Sequence, residues 1–339
     1  MTEQRAEGAS RRRFLVDVAG LGATSLLGLP RTATAESPPE TGRVRIVKAP
    51  AICLAPLYLA EALLQAEGFS EVRYVPIEQN KDPDLLVGNL ADLSACAPPN
   101  LLPYLDAGMP IVALAALHGG CYELFVNERV RAVRDLKGRR VAVSAMDALE
   151  YYYVASMAAY VGLNPLKDIE WVDVKSFDGV LNAFIDGKAD AILAFPPQPQ
   201  MLRAKKIGRV IVNTALDRPW DQYFCCMIAA RKEFVATNPV ATKRAIRALL
   251  KATDICARQP ERAARHIVER GYESQYEVAL EVVSSLSYNR WRTYNPDDSL
   301  RFFGVRLHES GLIKTGPQKL IAQGTDWRFL NELKRELKA

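Results

Sequence analysis

One short segment occurs twice in this chain of 339 residues. The first copy reads Ala-Asp-Leu-Ser-Ala-Cys-Ala-Pro-Pro over residues 91–99, and the second reads Ala-Asp-Ala-Ile-Leu-Ala-Phe-Pro-Pro over residues 189–197. Each has a polar start, five small or apolar residues and a double proline. Such an apolar run is typical of a strand buried on both faces of a parallel sheet. Because proline has no N–H to donate to the ladder, both strands should end at the same point.

The similarity extends upstream of each copy. Residues 44–48 and 139–143 are β-branched runs, and each leads through a loop into a helical segment that contains a tyrosine. Both helices close on a glycine before an apolar residue, at Gly68 and Gly162, which is a C-cap signal. We therefore predict two similar α/β units that form two lobes, since a solenoid would need several shorter repeats. The alternative is that the likeness reflects only the general pattern of βαβ units.

The N-terminal residues 1–35 have the pattern of a twin-arginine signal peptide. Ser-Arg-Arg-Arg-Phe-Leu at residues 10–15 precedes a weakly apolar stretch, and Ala-Thr-Ala at 33–35 supplies a cleavage site. The apolar stretch is short for a membrane span and contains Asp17. We predict export of the folded protein to the periplasm. The alternative is a cytosolic protein with a disordered basic tail.

The charge balance argues against nucleic acid as a partner. Outside residues 1–35, 39 Lys and Arg residues face 36 Asp and Glu residues. Nucleic-acid binding requires a basic face, which this near-balance does not favour. The hydrophobic content of 49% is sufficient for two lobes that each have a core.

The cysteines show no spacing typical of a disulfide framework, and a chain of this size does not need disulfides to fold. The six are Cys53, Cys96, Cys121, Cys225, Cys226 and Cys256. We predict buried free thiols, with disulfides as the alternative. Cys225 and Cys226 are neighbours on a predicted strand and should point to opposite faces.

Two segments are predicted to connect the lobes. The first contains an apolar strand at 111–117, the pair Gly119-Gly120 and another strand at 122–126. The second is the aromatic and cysteine-rich run 220–229, which should be the return crossing. From Asn238 onward, apolar residues recur at spacings of three and four, which predicts helices that pack on a core.

Motifs that would indicate an enzyme do not occur. The histidines His118, His266 and His308 are too scattered for a metal motif. There is no nucleophile elbow, and the segment after residue 35 has neither a P-loop nor a dinucleotide-binding glycine pattern. We therefore predict no catalytic residue, metal ion or cofactor.

A ligand site is expected where the carboxyl ends of the parallel strands meet. In the two units this rule selects the loops 49–55, 96–100, 144–151 and 195–198, with the two connections as the floor. The candidate ligand-binding residues are Cys53, Cys96, Pro98, Asn100, His118, Ser144, Asp147, Glu150, Tyr151, Phe195, Gln198, Trp220 and Tyr223.

The chemistry of these loops favours a neutral or weakly basic, planar small molecule. Three of the four loops contain no Lys or Arg, whereas aromatic residues and the carboxylates Asp147 and Glu150 are present. Stacking and a few hydrogen bonds would hold such a ligand. Alternatively, the two carboxylates only stabilise the first turn of a helix. At most two of the three tyrosines at 151–153 can face the cleft.

The order of several motifs resembles a known family. After the twin-arginine leader come Pro-Ala-Ile-Cys-Leu-Ala-Pro-Leu-Tyr at 50–58, Gly-x-x-Ala-Asp at 88–92, Leu-Lys-Gly-Arg-Arg-Val-Ala-Val at 136–143 and Gly-Lys-Ala-Asp at 187–190. Together they are similar to the periplasmic substrate-binding proteins of nitrate, sulfonate and taurine ABC importers. The resemblance covers residues 43 to 330. The superfamily also includes binding proteins for thiamine pyrimidine precursors and a pyrimidine synthase.

This resemblance implies an α/β, two-lobed periplasmic-binding-protein fold, with two crossing strands as a hinge and a helical C-terminal region. Lobe one would comprise 43–118 and 225–339, and lobe two would comprise 122–221. The implied function is capture of a small molecule between the lobes by a monomer that is not an enzyme. Delivery would be to an inner-membrane ABC permease with its cytoplasmic ATPase. The alternative is an enzyme like the pyrimidine synthase, which needs iron and a site histidine.

Overall fold

A computed structural model describes residues 36–337 except residue 78, so the predicted signal peptide lies outside the described residues. The strands are β1 (Arg43–Lys48), β2 (Glu71–Pro76), β3 (Leu93–Cys96), β4 (Ile111–Gly119), β5 (Glu123–Val126), β6 (Arg139–Val143), β7 (Ile169–Asp173), β8 (Ala191–Ala194), β9 (Arg209–Asn213) and β10 (Phe224–Arg231). The helices are α1 (Ala55–Ala66), α2 (Asp82–Val87), α3 (Pro98–Asp106), α4 (Leu149–Tyr160), α5 (Phe177–Ile185), α6 (Gln198–Ala204), α7 (Lys232–Thr237), α8 (Pro239–Arg258), α9 (Pro260–Glu269), α10 (Tyr276–Ser285), α11 (Pro296–Glu309), α12 (Pro317–Gly324) and α13 (Arg328–Glu336).

The strands form two five-stranded sheets with the same arrangement. Sheet 1 has the order β2-β1-β3-β10-β4, and sheet 2 has the order β7-β6-β8-β5-β9. In each sheet the first three strands are parallel, and the fourth is antiparallel to both of its neighbours. The predicted internal repeat and α/β fold class are confirmed. The bounds predicted for the two lobes stay a prediction.

An arginine–aspartate pair explains why both copies of the repeated segment begin with Ala-Asp. In sheet 1, Arg45 Nη2 lies 2.7 Å from Asp92 Oδ1, and the Arg45 backbone N–H donates to Asp92 Oδ2 at 2.9 Å. In sheet 2, Arg140 Nε and its backbone N–H both donate to Asp190 Oδ2 at 3.1 Å. Burial raises the pKa of Asp190, but the Arg140 hydrogen bonds outweigh it and bring that pKa to about 2. Each aspartate therefore ties the start of one parallel strand to its neighbour.

The helix ends that sequence analysis predicted are also confirmed. Gly68 and Gly162 follow α1 and α4 with φ of +104° and +84°. A side chain is disfavoured in this left-handed conformation, so glycine ends the helix at low cost. In the C-terminal region, residues 239–336 contain the helices α8 to α13, as the apolar spacing after Asn238 predicted. Among the described residues, no helix combines the length and apolar character that a membrane span requires.

The two sheets are joined by residues 120–122, between β4 and β5, and by residues 214–223, between β9 and β10. The run 220–229, predicted to be the return crossing, contains the end of the second connection and most of β10. A short 3₁₀ helix at Trp220–Gln222 precedes β10. The two crossings touch each other, because the Thr214 hydroxyl accepts the Tyr122 backbone N–H at 2.9 Å.

The prediction for the neighbouring cysteines of β10 is wrong. Cys225 and Cys226 were expected on opposite faces, yet their Sγ atoms lie 3.8 Å apart. The register of β10 against β4 shifts on both sides of Cys226, which marks a bulge. A bulge re-aims side chains away from strict alternation, so both thiols can face the same region. All six cysteines of the chain are buried.

Candidate functional site

A small cavity of ≈ 30 Å³ lies where the two sheets face each other. Its volume corresponds to about one water molecule. Sheet 1 contributes the segments that follow β1 and β2, and sheet 2 contributes Leu149 and Phe195. The lining residues are Val47, Ala49, Ala51, Cys53, Leu54, Ile77, Asn80, Asp82, Ser94, Ala95, Tyr122, Leu149, Phe195 and Cys226. The cavity therefore lies at the carboxyl ends of the parallel strands, as the strand-end rule requires.

Asn80 closes the cavity by bonding across it. This residue follows β2 of sheet 1, and its Nδ2 donates to Glu150 Oε1 of sheet 2 at 2.5 Å. Its carbonyl oxygen accepts the Leu149 backbone N–H at 3.0 Å. Its own backbone N–H donates to Ser144 Oγ at 3.3 Å. These bonds join the start of α4 to sheet 1 beside the cavity.

Lys81 and Ile52 make two further bridges between the sheets. Lys81 Nζ lies 2.9 Å from Asp147 Oδ2. The Ile52 N–H donates to the Pro196 carbonyl at 3.2 Å. The structure therefore shows the closed arrangement of the cleft.

Two buried carboxylates lie at the cavity without a cation. Asp82 accepts hydrogen bonds from Asn100 Nδ2 at 2.9 Å and from Ser94 Oγ at 3.2 Å. Glu150 accepts from Ser144 Oγ at 3.1 Å as well as from Asn80. Burial raises the pKa of Asp82 to about 6 and also raises the pKa of Glu150. Within the described residues neither carboxylate forms an ion pair.

A group of thiols and one imidazole lies beneath this cavity. Ligand atoms of His118, Cys121, Cys225 and Cys226 all lie within 4.8 Å of one another. Cys53 adjoins the group, and the neighbouring Cys121 lowers the pKa of its thiol. The Tyr288 hydroxyl donates to the Cys53 carbonyl at 2.9 Å and so connects this segment to the C-terminal region. His118, Cys121, Cys225 and Cys226 could hold a metal ion, although sequence analysis predicted no metal site.

Some predicted site residues lie at the cavity and others lie beside it. Cys53 and Phe195 line it, whereas Asn100, Ser144 and Glu150 form the polar layer next to it. The remaining residues have other surroundings. Cys96 lies beside Asp82, Pro98 begins α3, and His118 belongs to the thiol group. Asp147 pairs with Lys81, Tyr151 packs on Trp171, and Gln198 lines an adjacent groove.

Trp220 and Tyr223 are not part of this cavity. Trp220 packs edge-on against Phe302 with ring centroids 5.3 Å apart, and Tyr223 stacks on Phe302 at 4.0 Å. Helix α11 covers the second crossing at this point, so both rings contact α11. The local sequence around Trp220 and Tyr223 could not predict this contact, because α11 is more than 70 residues further along the chain.

Sequence analysis missed the segment after β2, which supplies Asn80 and Asp82. The signal was present, because the rule on strand ends applies to β2 as well as to β1 and β3. Ser94, Tyr122 and Leu149 also line the cavity, and none of them was a candidate.

An apolar groove opens next to the cavity. It has a volume of ≈ 560 Å³ and lies between α5 and α6 on one side and the region of α10 on the other. Pro50, Phe177, Met201 and Val278 contribute to its walls, and Phe195 lines both the groove and the cavity. Phe195 thus stands between the small cavity and a space large enough for an organic molecule.

The fold and the cleft between two like sheets define an α/β protein of the periplasmic-binding-protein type. The family model described as NMT1/THI5 like matches residues 54–263, which is more than half of the chain. The chain belongs to this family, and the resemblance inferred from the motifs is confirmed. No curated protein sequence matches the chain significantly.

Solved structures share the fold at low sequence identity. The periplasmic nitrate-binding protein NrtA of Synechocystis PCC 6803 is 16% identical with a TM-score of 0.76, covering 89% of this chain and 90% of its own. The alkanesulfonate-binding protein SsuA of Xanthomonas axonopodis pv. citri, bound to MOPS, is 16% identical with a TM-score of 0.70. The match covers 85% of this chain and 99% of the SsuA chain. The desulfurization enzyme DSZB is 16% identical with a TM-score of 0.57, and the match covers 87% of this chain and 99% of the DSZB chain. The fold therefore occurs in binding proteins and in an enzyme.

Proposed function

We propose that this chain is a solute-binding protein that captures a small, planar, weakly basic molecule between two lobes and passes it to an ABC permease. The lobes would be 43–118 with 225–339, and 122–221. The protein would act as a monomer in the periplasm after twin-arginine export, with a cytoplasmic ATPase driving the permease. The observation that carries this proposal is the cavity between the sheets, with the buried carboxylate of Asp82 in its wall and that of Glu150 in the polar layer beside it.

The polar groups at the cavity favour a ligand that donates hydrogen bonds. Asp82 and Glu150 are acceptors whenever they are ionised. Asn100 Oδ1 is buried and has no hydrogen-bond partner among the described residues. A buried acceptor without a partner is costly, so a donor from the ligand would be favourable here. These acceptors suit an amidine, a protonated amine or an amino-substituted heterocycle.

The same groups disfavour an anionic ligand. The neighbouring cation Lys81 is already paired with Asp84 at 3.1 Å and with Asp147 at 2.9 Å. A nitrate or sulfonate would therefore meet two carboxylates, and among the described residues no unpaired cation lies beside them. Like charges at short range in a buried site repel strongly.

The apolar surface near the cavity favours a ring. Phe195 packs edge-to-face on Phe177, with centroids 5.8 Å apart, and both line the apolar groove. When the Asn80 bonds open, the cavity and the groove can join around Phe195. A planar ring could then lie against Phe195 with its N–H groups directed at Asp82. Closure of the lobes by a hinge at the crossings would bury it.

Thermal unfolding of the purified mature protein with a ligand panel tests the proposal. Benzamidine and aminopyrimidines represent the proposed class, and nitrate, sulfate and taurine represent anions. A ligand at 100 times its Kd should add about 2.7 kcal/mol of stability. A clear rise of the melting temperature with nitrate or taurine at low concentration, and none with the bases, would contradict the proposal.

Native mass spectrometry of freshly purified protein provides a second test, because a retained ligand is identified by its mass. The alternative, an iron-using enzyme like the pyrimidine synthase, predicts bound iron and chemical conversion of the ligand. A ligand that is bound and released unchanged supports a binding protein.

A further inference from the structure

Four buried metal-binding groups converge where the two crossings meet. His118 lies near the end of β4, and Cys121 lies in the first crossing. Cys225 and Cys226 lie at the start of β10, where Cys226 is directly opposite His118 in the strand pairing. All four side chains are at most 5% exposed, and their ligand atoms lie within 4.8 Å of one another.

The imidazole of His118 is oriented as a metal ligand would be. Its Nδ1 is 2.7 Å from the Gly119 carbonyl oxygen, which can only accept, so Nδ1 carries the proton and donates. The lone pair is then on Nε2, which is buried and has no hydrogen-bond partner among the described residues. A hydrogen bond from one ring nitrogen to a backbone carbonyl is the usual way to orient a histidine whose other nitrogen binds a metal.

The three thiols have almost the spacing that one tetrahedral ion requires. Sulfur ligands at about 2.3 Å from zinc in a tetrahedron are about 3.8 Å apart. Cys225 Sγ and Cys226 Sγ already lie at 3.8 Å, and Cys121 Sγ and Cys225 Sγ lie at 2.9 Å. The second pair would separate by about 0.9 Å on binding the ion, which a side-chain rotation can supply.

We propose that His118 Nε2 and the Sγ atoms of Cys121, Cys225 and Cys226 bind one Zn²⁺ ion. Thiolate and imidazole ligands favour zinc over Mg²⁺ and Ca²⁺, which prefer oxygen. Four protein ligands leave no open position, so the site is structural and does not activate water.

The zinc ion would join the two crossings at the base of the cavity. Cys121 belongs to the first crossing, whereas Cys225 and Cys226 begin the strand that follows the second. Cys226 also lines the cavity. Three thiolates and one Zn²⁺ leave a net charge of −1 beneath the cavity, which adds to the charge of the carboxylates.

The test measures metal content by elemental mass spectrometry on the full mature protein, purified without chelator. The expected result is about one zinc per chain. Cys225→Ser should lower the zinc affinity by about 100-fold or more, because it removes a direct ligand. Cys256→Ser is the matched control, since Cys256 is equally buried but lies outside the four-residue set.

A second measurement does not depend on whether the variants fold. Removing zinc from the unmodified protein with a chelator should lower its melting temperature, and added zinc should restore it. Cobalt should give a thiolate charge-transfer band at one ion per chain. Stoichiometric iron in place of zinc, a Cys121–Cys225 disulfide in the purified protein, or zinc content unchanged in Cys225→Ser would each overturn the proposal.

Discussion

The buried carboxyl group of Asp82 allows a quantitative prediction. Its side chain lies at the cavity, is 5% exposed and forms no ion pair within the described residues. Burial raises its pKa from 3.8 to about 6. A shift of about 2 pKa units corresponds to about 3 kcal/mol of unfavourable free energy for the ionised form. Asp82→Asn should remove this cost while keeping the shape of the side chain.

The sign of the pH dependence follows from the direction of the shift. Below pH 3.8 the carboxyl group is protonated in both the folded and the unfolded chain, so it has no effect on stability. As the pH rises toward 6, the unfolded chain loses its proton first, and the folded state becomes less stable. Relative to wild type, Asp82→Asn should therefore gain up to about 3 kcal/mol between pH 4 and pH 7.

The contacts of Asp82 are compatible with asparagine. The new Oδ1 can still accept from Asn100 Nδ2, and the new Nδ2 can donate to the Ser94 hydroxyl. Two other titratable groups, Glu150 and Cys96, lie close to Asp82, and the charge of Asp82 raises the pKa of both. Removing the Asp82 charge therefore makes their ionisation easier, which acts in the same direction.

Urea unfolding of wild type and variant, without ligand, at several values between pH 4 and pH 7 measures the difference. Asp190→Asn is the control: because Arg140 holds the pKa of Asp190 low, its charge is stabilising, and this variant should be less stable than wild type by a nearly constant amount across this range. A wild-type-to-variant difference for Asp82 that stays flat across this range would refute the reasoning. Asp82→Asn should also bind a basic ligand more weakly than wild type does. In this variant the stability should therefore rise while the affinity falls.

Three further predictions concern the crossing, the ring at the cavity and export. Gly120→Ala places a Cβ 2.0 Å from the Thr214 backbone carbonyl oxygen in the other crossing, so urea unfolding should show the folded state destabilised by about 3 kcal/mol. In the control variant Gly316→Ala, the new Cβ meets no atom within 4 Å, so the stability should not change. Phe195→Ala should weaken ligand binding by ~1–3 kcal/mol in calorimetry if the ring stacks, and unchanged affinity would remove it from the site. Arg11→Lys with Arg12→Lys should retain the precursor in the cytoplasm, and normal fractionation with the periplasm would indicate another export route.

The repeated segment was sufficient to predict the sheets. An apolar run that ends in two prolines is typical of a short buried strand, and the residues that indicate it are adjacent in the chain. The capping glycines, Gly68 and Gly162, and the helical spacing after residue 238 are local signals for the same reason. The position of the cleft at the strand ends followed from the fold class.

The groups that make up the site were decided by tertiary structure. Asn80 meets Glu150 across 70 residues of sequence, and Cys121 meets Cys225 across 104. The first contact depends on how the sheets face each other and the second on the approach of β10, with its bulge, to the first crossing, and no local pattern encodes either. Trp220 illustrates the opposite case, since an aromatic residue expected at the cleft is covered by α11. Sequence alone therefore determined which elements form and where their ends lie. Which side chains meet was decided by long-range packing, because these contacts join residues that share no local pattern.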